Sequence, residues 1–312
     1  MDIKNVVVAG GGVLGSQIAF QSAYKNFNVT VWLRSEASID RAKPKFERLK
    51  SIYLTTLEAM KTNPAAYCRG LSPQKDLKPE QIDELKAKVE TAFESLKYTT
   101  SHEEAAKDAD LVIEAIAEDP QQKIEFYTEL AKYLPEHTII VTNSSTLLPS
   151  TFAEYTGRPD KYLALHFANE IWRNNTAEVM GHPGTDPAVY DEIVAFAAAI
   201  GMVPLKLKKE QPGYILNSML VPFLNAAQAL LAKDVADPET IDKTWMLATG
   251  APLGPFRILD IVGLNTAYNI TILNPEASDP ESVPGKITAL LKSYIDQGKT
   301  GVNAGEGFYK YN

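Results

Sequence analysis

A run of small apolar residues that leads into three glycines is the feature that most constrains this chain. The segment VVVAGGGVLGSQIAF (residues 6–20) predicts a short strand, a glycine turn and the start of a helix. Within it Gly10, Gly12 and Gly15 form the pattern GxGxxG, whose glycines permit a tight turn and let the backbone approach a pyrophosphate. The phosphates would lie at the positive end of the helix that begins near Gly12. The pattern predicts a dinucleotide-binding turn, and the alternative is a merely tight strand–helix connection.

Further short apolar segments predict an α/β fold. They lie at residues 109–119, 138–143, 162–167, 176–181 and 201–209. Because helical patterns separate several of them, we expect a mostly parallel sheet covered on both faces. Residues 37–100 are charged and helical in period, and they predict a projecting helical hairpin. No strong strand follows Gly213, so we predict a Rossmann-type domain over 1–205 and an all-α domain over 206–312.

Composition excludes several classes of partner. The chain has 312 residues and a formal net charge of −8, which argues against binding to nucleic acid or an anionic membrane. No apolar run approaches the roughly 18 residues of a membrane helix, and the N-terminus shows no secretory signal. Cys68 is the only cysteine, so an intrachain disulfide and a cysteine-based zinc site are excluded. We therefore expect no metal, and a cytoplasmic location in a reducing compartment.

The end of the second predicted strand, Val29–Leu33, indicates which dinucleotide is bound. In an NAD site a carboxylate there accepts hydrogen bonds from the ribose hydroxyls. The corresponding position, 19 residues after Gly15, holds Arg34, and Ser35 follows. Arginine and serine can bond to a 2′-phosphate, so the pair predicts a preference for NADP(H). Alternatively Arg34 stacks on the adenine or faces solvent, and Glu36 or the backbone serves the ribose.

One of the four histidines is a candidate base. His166 ends the apolar strand YLALHF, at the edge where open α/β sheets place their ligands. His102 opens a polar helix and His137 precedes a strand, so we expect both in solvent, and His182 lies in a turn. Histidine titrates near neutral pH, which suits removal of a proton from an alcohol. The alternative for His166 is a hydrogen-bonded core histidine.

Seven segments together resemble a known family. They are VVVAGGGVLGSQIA, ADLVIEAIAED, TNSST, LHFAN, PGYILNSMLVPFLNAA, IDKTWMLATGAPLGPFRILDIVGL and GEGFYKY. Over nearly the whole chain the sequence resembles the short-chain form of L-3-hydroxyacyl-CoA dehydrogenase, a family that includes enzymes acting on gulonate and carnitine. The resemblance implies an NAD(P)-dependent oxidoreductase acting on a small molecule, a short 3-hydroxyacyl-CoA. It also implies a homodimer formed through the helical domain.

The resemblance implies a set of catalytic and substrate-binding residues. His166 takes the place of the catalytic histidine, Glu178 follows it by twelve residues, and Ser145 precedes it by 21. Asn169 and Asn217 correspond to asparagines near the substrate, which is expected in the cleft between the domains. A carboxylate at Glu178 would fix the imidazole tautomer, and Ser145 and Asn217 could donate hydrogen bonds to the substrate oxygens. The alternative for Asn217 is a bond to backbone across the domain interface.

The resemblance extends to the cofactor. It places Glu118 and Lys123 near the nicotinamide half, and the alternative for both is a charge pair at a helix start. The full set of predicted cofactor contacts is Gly10, Gly12, Val13, Leu14, Gly15, Arg34, Ser35, Glu118, Lys123 and Asn143.

Two departures from the family bear on the substrate. The segment EIWRNNTAE (residues 170–178) replaces an apolar, proline-containing segment, so the pocket is expected to be more polar or shorter. Within it Arg173 could meet a carboxylate or phosphate, or these side chains could turn outward. The hairpin stretch RAKPKFERLK (residues 41–50) is basic, which suits the phosphates of CoA, but it has no clear match to the family's CoA-contacting lysine. The alternatives are a dehydrogenase of a small polar hydroxy acid, as with gulonate or carnitine, and a dinucleotide-binding protein without turnover.

Overall fold

An eight-stranded sheet forms the centre of the computed structural model, which describes residues 3–311. The strands are β1 (Asn5–Ala9), β2 (Asn28–Trp32), β3 (Lys97–Thr99), β4 (Leu111–Glu114), β5 (Ile139–Thr142), β6 (Tyr162–Phe167), β7 (Thr176–Met180) and β8 (Val203–Lys206). Their order is β3-β2-β1-β4-β5-β6-β7-β8, and neighbours run parallel except for β6 and β7. The predicted mostly parallel sheet is therefore confirmed, and β3 is a strand that the sequence analysis did not predict.

The central strands are apolar because both of their faces are covered. Strands β4, β5 and β6 are buried at every residue, as expected for parallel strands between two layers of helices. Parallel register brings their carboxyl ends to one edge, where Ala9 of β1 pairs with Glu114 of β4 and Glu114 pairs with Thr142 of β5. Polar residues that follow these strands therefore meet at this edge.

Six helices, with short 3-10 turns between some elements, surround the sheet within the described part of this unit. They are α1 (Val13–Tyr24), α2 (Glu36–Met60), α3 (Pro79–Ser95), α4 (His102–Ala106), α5 (Pro120–Leu130) and α6 (Pro187–Ala199). The predicted hairpin corresponds to α2 and α3. Its buried residues, such as Phe46 and Val89, join the same cluster as Val8 of β1 and Ile18 of α1, so one side of the hairpin packs into the core of this unit.

The chain divides into two compact units, the first ending at Ile215 and the second starting at Leu216. The predicted boundary, between residues 205 and 206, falls earlier in the chain. The first unit extends further because Leu207 and Tyr214 pack with Ala164 and Met180 in one of its buried clusters.

The second unit is helical, as predicted. Its helices are α7 (Tyr214–Ala232, which starts two residues before the boundary), α8 (Pro238–Thr249), α9 (Pro255–Val262), α10 (Leu264–Thr271) and α11 (Val283–Asp296). Local signals define α8: the carboxylate of Asp237 accepts from the Thr240 N–H at 2.8 Å, and Gly250 ends the helix at φ 73°. Aspartate and glycine are residue types that commonly start and end a helix, so both ends of α8 are readable from the sequence.

Helix α7 corrects one expectation. Over residues 3–311 it is the one helix long and apolar enough to cross a membrane by length and composition alone. It passes this test because Tyr214–Ala232 contains no charged residue, although it includes Asn217, Asn225 and Gln228. A core helix of a globular protein can pass the same test, so this finding alone is weak support for a membrane span.

Candidate active site

The antiparallel pairing of β6 with β7 joins the two central residues of the site. His166 lies directly opposite Glu178, and opposite residues project from the same face of a sheet. His166 Nδ1 is 3.1 Å from Glu178 Oε2, and both residues are buried, with exposures of 6% and 3%. Because an ionised carboxylate only accepts, Nδ1 carries the hydrogen and Nε2 keeps a lone pair. This is the arrangement of a histidine base oriented by an acid.

The loop after β5 places a hydroxyl beside that lone pair. Ser145 Oγ lies 3.1 Å from His166 Nε2. The neighbouring Ser144 uses its hydroxyl differently: it donates to Glu118 and accepts from the Leu147 N–H at 3.0 Å. The structure therefore brings together the predicted residues Ser145, His166 and Glu178.

Glu118 holds this loop in place. Its Oε1 accepts from the N–H groups of Ser145 at 3.0 Å and Thr146 at 3.2 Å, and from the hydroxyls of Ser144 and Thr146. Burial acts to raise the pKa of Glu118. The hydrogen bonds from Ser144 and Thr146, together with the charge of Lys123, outweigh burial and bring this pKa below its ordinary value. Glu118 is therefore ionised at neutral pH and orients the backbone that carries Ser145.

Lys123 lies behind Glu118, in the core. It is 1% exposed, and its Nζ is 2.6 Å from Glu114 Oε1 and 3.3 Å from Glu118 Oε2. The second oxygen of Glu114 accepts from the hydroxyls of Tyr127 and Thr142 at 2.8 and 2.7 Å. A buried charge requires such partners. Both carboxylate partners of Lys123 are thus in place, and its contact with a bound cofactor stays a prediction; Glu114 and Tyr127 were not predicted.

Three predicted asparagines have different surroundings. The side-chain oxygen of Asn143 accepts from the Phe167 N–H at 3.0 Å, which joins the ends of β5 and β6. Asn169 is exposed just beyond β6, and its carbonyl accepts from Asn174. Asn217 is the fourth residue of α7 and belongs to the second unit. The roles of Asn169 and Asn217 toward a substrate, and a substrate cleft between the domains, stay predictions.

The segment EIWRNNTAE (residues 170–178), which departs from the family, lies partly in the core and partly at the surface. Trp172 is buried, with its ring centroid 5.5 Å from that of Tyr53, so it neither turns outward nor lines an open pocket. Gly70 permits this packing, since a Cβ there would lie 2.7 Å from the Trp172 carbonyl oxygen. Arg173 and Asn174 are exposed. Asn175 is instead buried, where it accepts from Arg69 and donates to the Gly201 carbonyl, so the polar residues of this segment are found both at the surface and inside.

A cavity of about 1070 Å³ opens at the carboxyl edge of β1 and β2. A Cβ on Gly10 would come within 2.3 Å of the Ala115 oxygen, and one on Gly15 within 2.4 Å of the Gly10 oxygen. These two glycines are thus required by the fold. A Cβ on Gly12 would meet nothing within 4 Å, so this glycine leaves open space where the pyrophosphate of a dinucleotide would approach. Val13 and Leu14 follow at the start of α1, where Gly12 provides no side-chain cap.

One wall of this cavity is basic. Arg34, Ser38, Arg41 and Lys45 line it, the last three at the spacing of one face of α2. Arg41 Nη2 donates to Ser38 Oγ at 2.8 Å, and Lys45 Nζ donates to the Gly11 carbonyl in the glycine turn at 2.6 Å. Ser35 is the N-cap of α2 and bonds to Ser38, and its contact with a phosphate stays a prediction.

Another part of the cavity lining is aromatic. The ring of His102 lies 4.5 Å from that of Trp32, and Phe126 lies 5.0 Å from Trp32. His102 was expected in solvent, but it is half-buried because its ring packs on the indole. Burial lowers the pKa of His102, so the ring is neutral at pH 7. Such a surface suits a planar base.

The chain is similar to known proteins over both of its units. Residues 5–211 match the family model described as 3-hydroxyacyl-CoA dehydrogenase, NAD binding domain, and residues 213–311 match its C-terminal domain. Hydroxyacyl-coenzyme A dehydrogenase, mitochondrial, of Rattus norvegicus is 33% identical over 309 residues, covering 99% of this chain and 91% of that protein. A probable 3-hydroxybutyryl-CoA dehydrogenase of Bacillus subtilis (strain 168) is 29% identical over 312 residues, covering 100% and 98%.

A solved structure of higher identity has a different description. It is a diketoreductase, described as catalysing reactions of dicarbonyl compounds, and it is 50% identical with a TM-score of 0.85. The match covers 100% of both chains.

Proposed function

Because the chain belongs to the 3-hydroxyacyl-CoA dehydrogenase family, we propose that it transfers a hydride between NAD(P) and C3 of a short 3-hydroxyacyl-CoA, such as 3-hydroxybutyryl-CoA. The reverse reaction is the reduction of acetoacetyl-CoA. The observation that supports this most is the contact chain Ser145–His166–Glu178 at the carboxyl edge of the sheet. It supplies a base, an orienting carboxylate and a hydroxyl donor in one place.

The protein's own groups account for the proton. During oxidation His166 Nε2 accepts the proton of the C3 hydroxyl as the electron pair of the C3–H bond departs with its hydrogen as hydride. A bound nicotinamide supplies the hydride acceptor. Glu178 stabilises the imidazolium that forms, because it already accepts the hydrogen on Nδ1. In reduction Nε2 returns the proton, and Ser145 can donate to the oxygen on which negative charge develops.

Substrate identity is tested by following NADPH and NADH oxidation with a panel of carbonyl compounds. We expect acetoacetyl-CoA to be reduced with a higher kcat/KM than acetoacetate or a simple acetoacetate ester. Gulonate and carnitine, tested in the oxidative direction, cover the polar hydroxy acids. Binding of either cofactor without turnover on any compound would support the protein without catalysis instead.

The reduction of free dicarbonyl compounds is a second candidate that two observations favour. One is the 50% identity to a diketoreductase over the full chain. The other is the state of the basic residues on the hairpin: Lys50 pairs with Glu90, and Lys61 and Lys86 both pair with Glu58. These pairs reduce the positive charge that the three lysines could offer to the phosphates of a CoA. If activity appears only with the free ester or the free acid, the CoA thioester is excluded and this candidate replaces it.

We also propose a preference for NADP(H). The basic wall formed by Arg34, Arg41 and Lys45 supports it, and so does the absence of Glu36 from the residues that line the cavity. An ionised 2′-phosphate would bond to the guanidinium groups, whereas the carboxylates that line the same cavity, Glu125 and Glu129, belong to α5 and not to this wall.

The substitution Arg34→Asp tests this preference. It should lower kcat/KM with NADPH by at least tenfold and leave NADH less affected, since one well-placed charged hydrogen bond contributes about 1.5–3 kcal/mol. Lys43→Asp makes the same change of charge on α2, outside the cavity lining, and serves as the control. Equal use of both cofactors by the native protein and Arg34→Asp would contradict the proposal.

A homodimer is the third part of the proposal. Large apolar side chains are exposed in the second unit, among them Met219, Leu247, Ile261 and Leu273. Such exposure supports contact with a second copy of the chain. Light scattering after gel filtration without detergent should give twice the 34.3 kDa chain mass. A monomeric mass, or recovery only in detergent, would oppose it.

A further inference from the structure

The residues that lead into α7 have an unusual backbone. Gly213 has φ 78°, and Tyr214, which is not a glycine, has φ 54°. A side chain in this left-handed region costs on the order of 1–2 kcal/mol. Surrounding contacts must compensate for such strain, and it often occurs at functional sites. Tyr214 is also among the largest fully buried side chains.

Three contacts from this segment reach the candidate site. The ring of Tyr214 stacks on that of His166, with a centroid distance of 4.3 Å and an interplanar angle of 11°. Its hydroxyl donates to the Ser144 carbonyl oxygen at 2.6 Å. The next residue, Ile215, donates its N–H to Glu178 Oε1 at 2.8 Å, on the oxygen that His166 does not use. The segment therefore contacts both members of the His–Glu pair and the serine loop.

We propose that Tyr214 is a positioning residue for His166. The bonds at Nδ1 and Nε2 both lie in the imidazole plane, so they restrain the tilt of the ring out of that plane only weakly. The χ2 torsion of histidine is broad and offers little resistance of its own. A parallel ring at 4.3 Å blocks this tilt from one face, and the hydroxyl bond to Ser144 holds the phenol ring in place. This inference rests on the proposed role of His166 as the base.

Tyr214 is suited to holding the imidazole rather than to exchanging a proton. Burial raises the pKa of Tyr214, and the nearby carboxylates of Glu118 and Glu178 raise it further. The phenol thus stays protonated and donates to Ser144. Its electron-rich face also favours the imidazolium that forms on His166 during oxidation.

Two substitutions separate the ring from the hydroxyl. Tyr214→Phe keeps the stacked ring, and we expect its kcat to stay within about threefold of the native value. Tyr214→Leu removes the ring, and kcat should fall by about 10- to 100-fold while KM and cofactor affinity change little. Tyr190→Phe is the matched control, because its hydroxyl also bonds to main-chain carbonyls, of Val179 and Leu207, without contact to His166.

An NMR measurement tests the stack without relying on turnover. The chain has four histidines, so the ring protons of His166 can be identified by their absence in His166→Ala. We expect them to be shifted upfield by the Tyr214 ring in the native protein and in Tyr214→Phe, and to lose that shift in Tyr214→Leu.

The outcomes distinguish this inference from the proposed function. A kcat for Tyr214→Leu within twofold of native would overturn the positioning role, and so would an unchanged His166 spectrum in that variant. An equal loss of kcat in Tyr214→Phe and Tyr214→Leu would also overturn it, because the hydroxyl and not the ring would then be responsible. If the native protein reduced no carbonyl in the panel although the upfield shift was present, the proposed function would fail while the stack remained.

Discussion

Buried carboxylates occur in both units of this protein, and their partners differ. In the second unit Asp260 accepts from the N–H groups of Phe308 and Tyr309 and from the hydroxyl of Tyr311. Asp242 accepts in the same way from Phe256, Arg257 and Tyr309. In the first unit the partners of Glu178 include the N–H of Ile215 and the imidazole of His166.

The difference shows how one kind of group serves two purposes. The donors around Asp260 are neutral groups that keep their protons at neutral pH, and Gly307 is so close that a Cβ there would lie 2.1 Å from Asp260 Oδ1. This carboxylate fastens the C-terminal segment GEGFYKY to α9. Glu178 instead faces a ring that can gain and lose a proton at Nε2. Under the proposed mechanism Glu178 acts chemically, because its partner His166 takes up a proton, whereas Asp260 has no such partner among these donors and acts structurally.

Replacement of His166, the partner of Glu178 that would take up a proton, should have the largest effect on turnover. His166→Ala is expected to lower turnover by about 10²–10⁴-fold, the usual contribution of a positioned base, and to leave the unfolding midpoint nearly unchanged. His182→Ala is the control, since that ring bonds to the Pro159 carbonyl and the Gly184 N–H away from the site. Near-normal turnover of His166→Ala in a steady-state assay would contradict its role.

Replacing one buried carboxylate in each unit compares the effects on stability and on turnover. Asp260→Ala leaves three donors unpaired, at about 1–3 kcal/mol each, so the free energy of unfolding should fall by about 3 kcal/mol or more. Its kcat per folded molecule should be unchanged. Glu178→Gln should show the opposite pattern, a loss of turnover of roughly 10²-fold or more with a smaller change in stability. Urea unfolding measures the free energy of unfolding, and steady-state kinetics per folded molecule measures the turnover. Similar changes of both quantities in the two variants would remove the distinction.

Within the serine loop we expect a smaller contrast. Ser145→Ala removes the hydroxyl beside His166 Nε2 and should lower kcat by about tenfold. Ser144→Ala removes a bond to Glu118, and its effect should be mainly on stability. Steady-state kinetics on both variants decide the ranking. A larger loss of kcat in Ser144→Ala would show that Ser144, and not Ser145, carries the catalytic hydroxyl.

The smallest expected effect concerns pH and Glu118. Because the pKa of Glu118 is lowered in the folded protein, its stabilising contribution is present above the ordinary glutamate pKa and is lost as pH falls through the folded value. Glu118→Gln should therefore be less stable than the native protein at pH 7, and this difference should shrink near pH 3. Urea unfolding midpoints at the two pH values measure it, and a difference that stays constant would show that the ionised form is not what holds the loop.

Much of the fold was predictable because its signals are local. Apolar runs marked β4 to β7, the glycine pattern marked the turn before α1, and Asp237 and Gly250 marked both ends of α8. The position of His166 at the end of an apolar strand marked it as a candidate, whereas Ser145 and Glu178 were predicted only from the resemblance to a family. Glu114 was not predicted, although a charge at the end of an apolar strand is a visible signal in the sequence.

The sequence by itself determined the kinds of element, their order and the residue types available for chemistry, because these depend on neighbours in the chain. Only the tertiary structure decided which side chains contact each other. The β6–β7 register puts Glu178 opposite His166, and a slip by one residue would turn one of them to the other face. Lys123 is in the core because Glu114 is there to pair with it. Tyr214 reaches His166 across 48 residues of chain, a separation at which no local pattern predicts a contact.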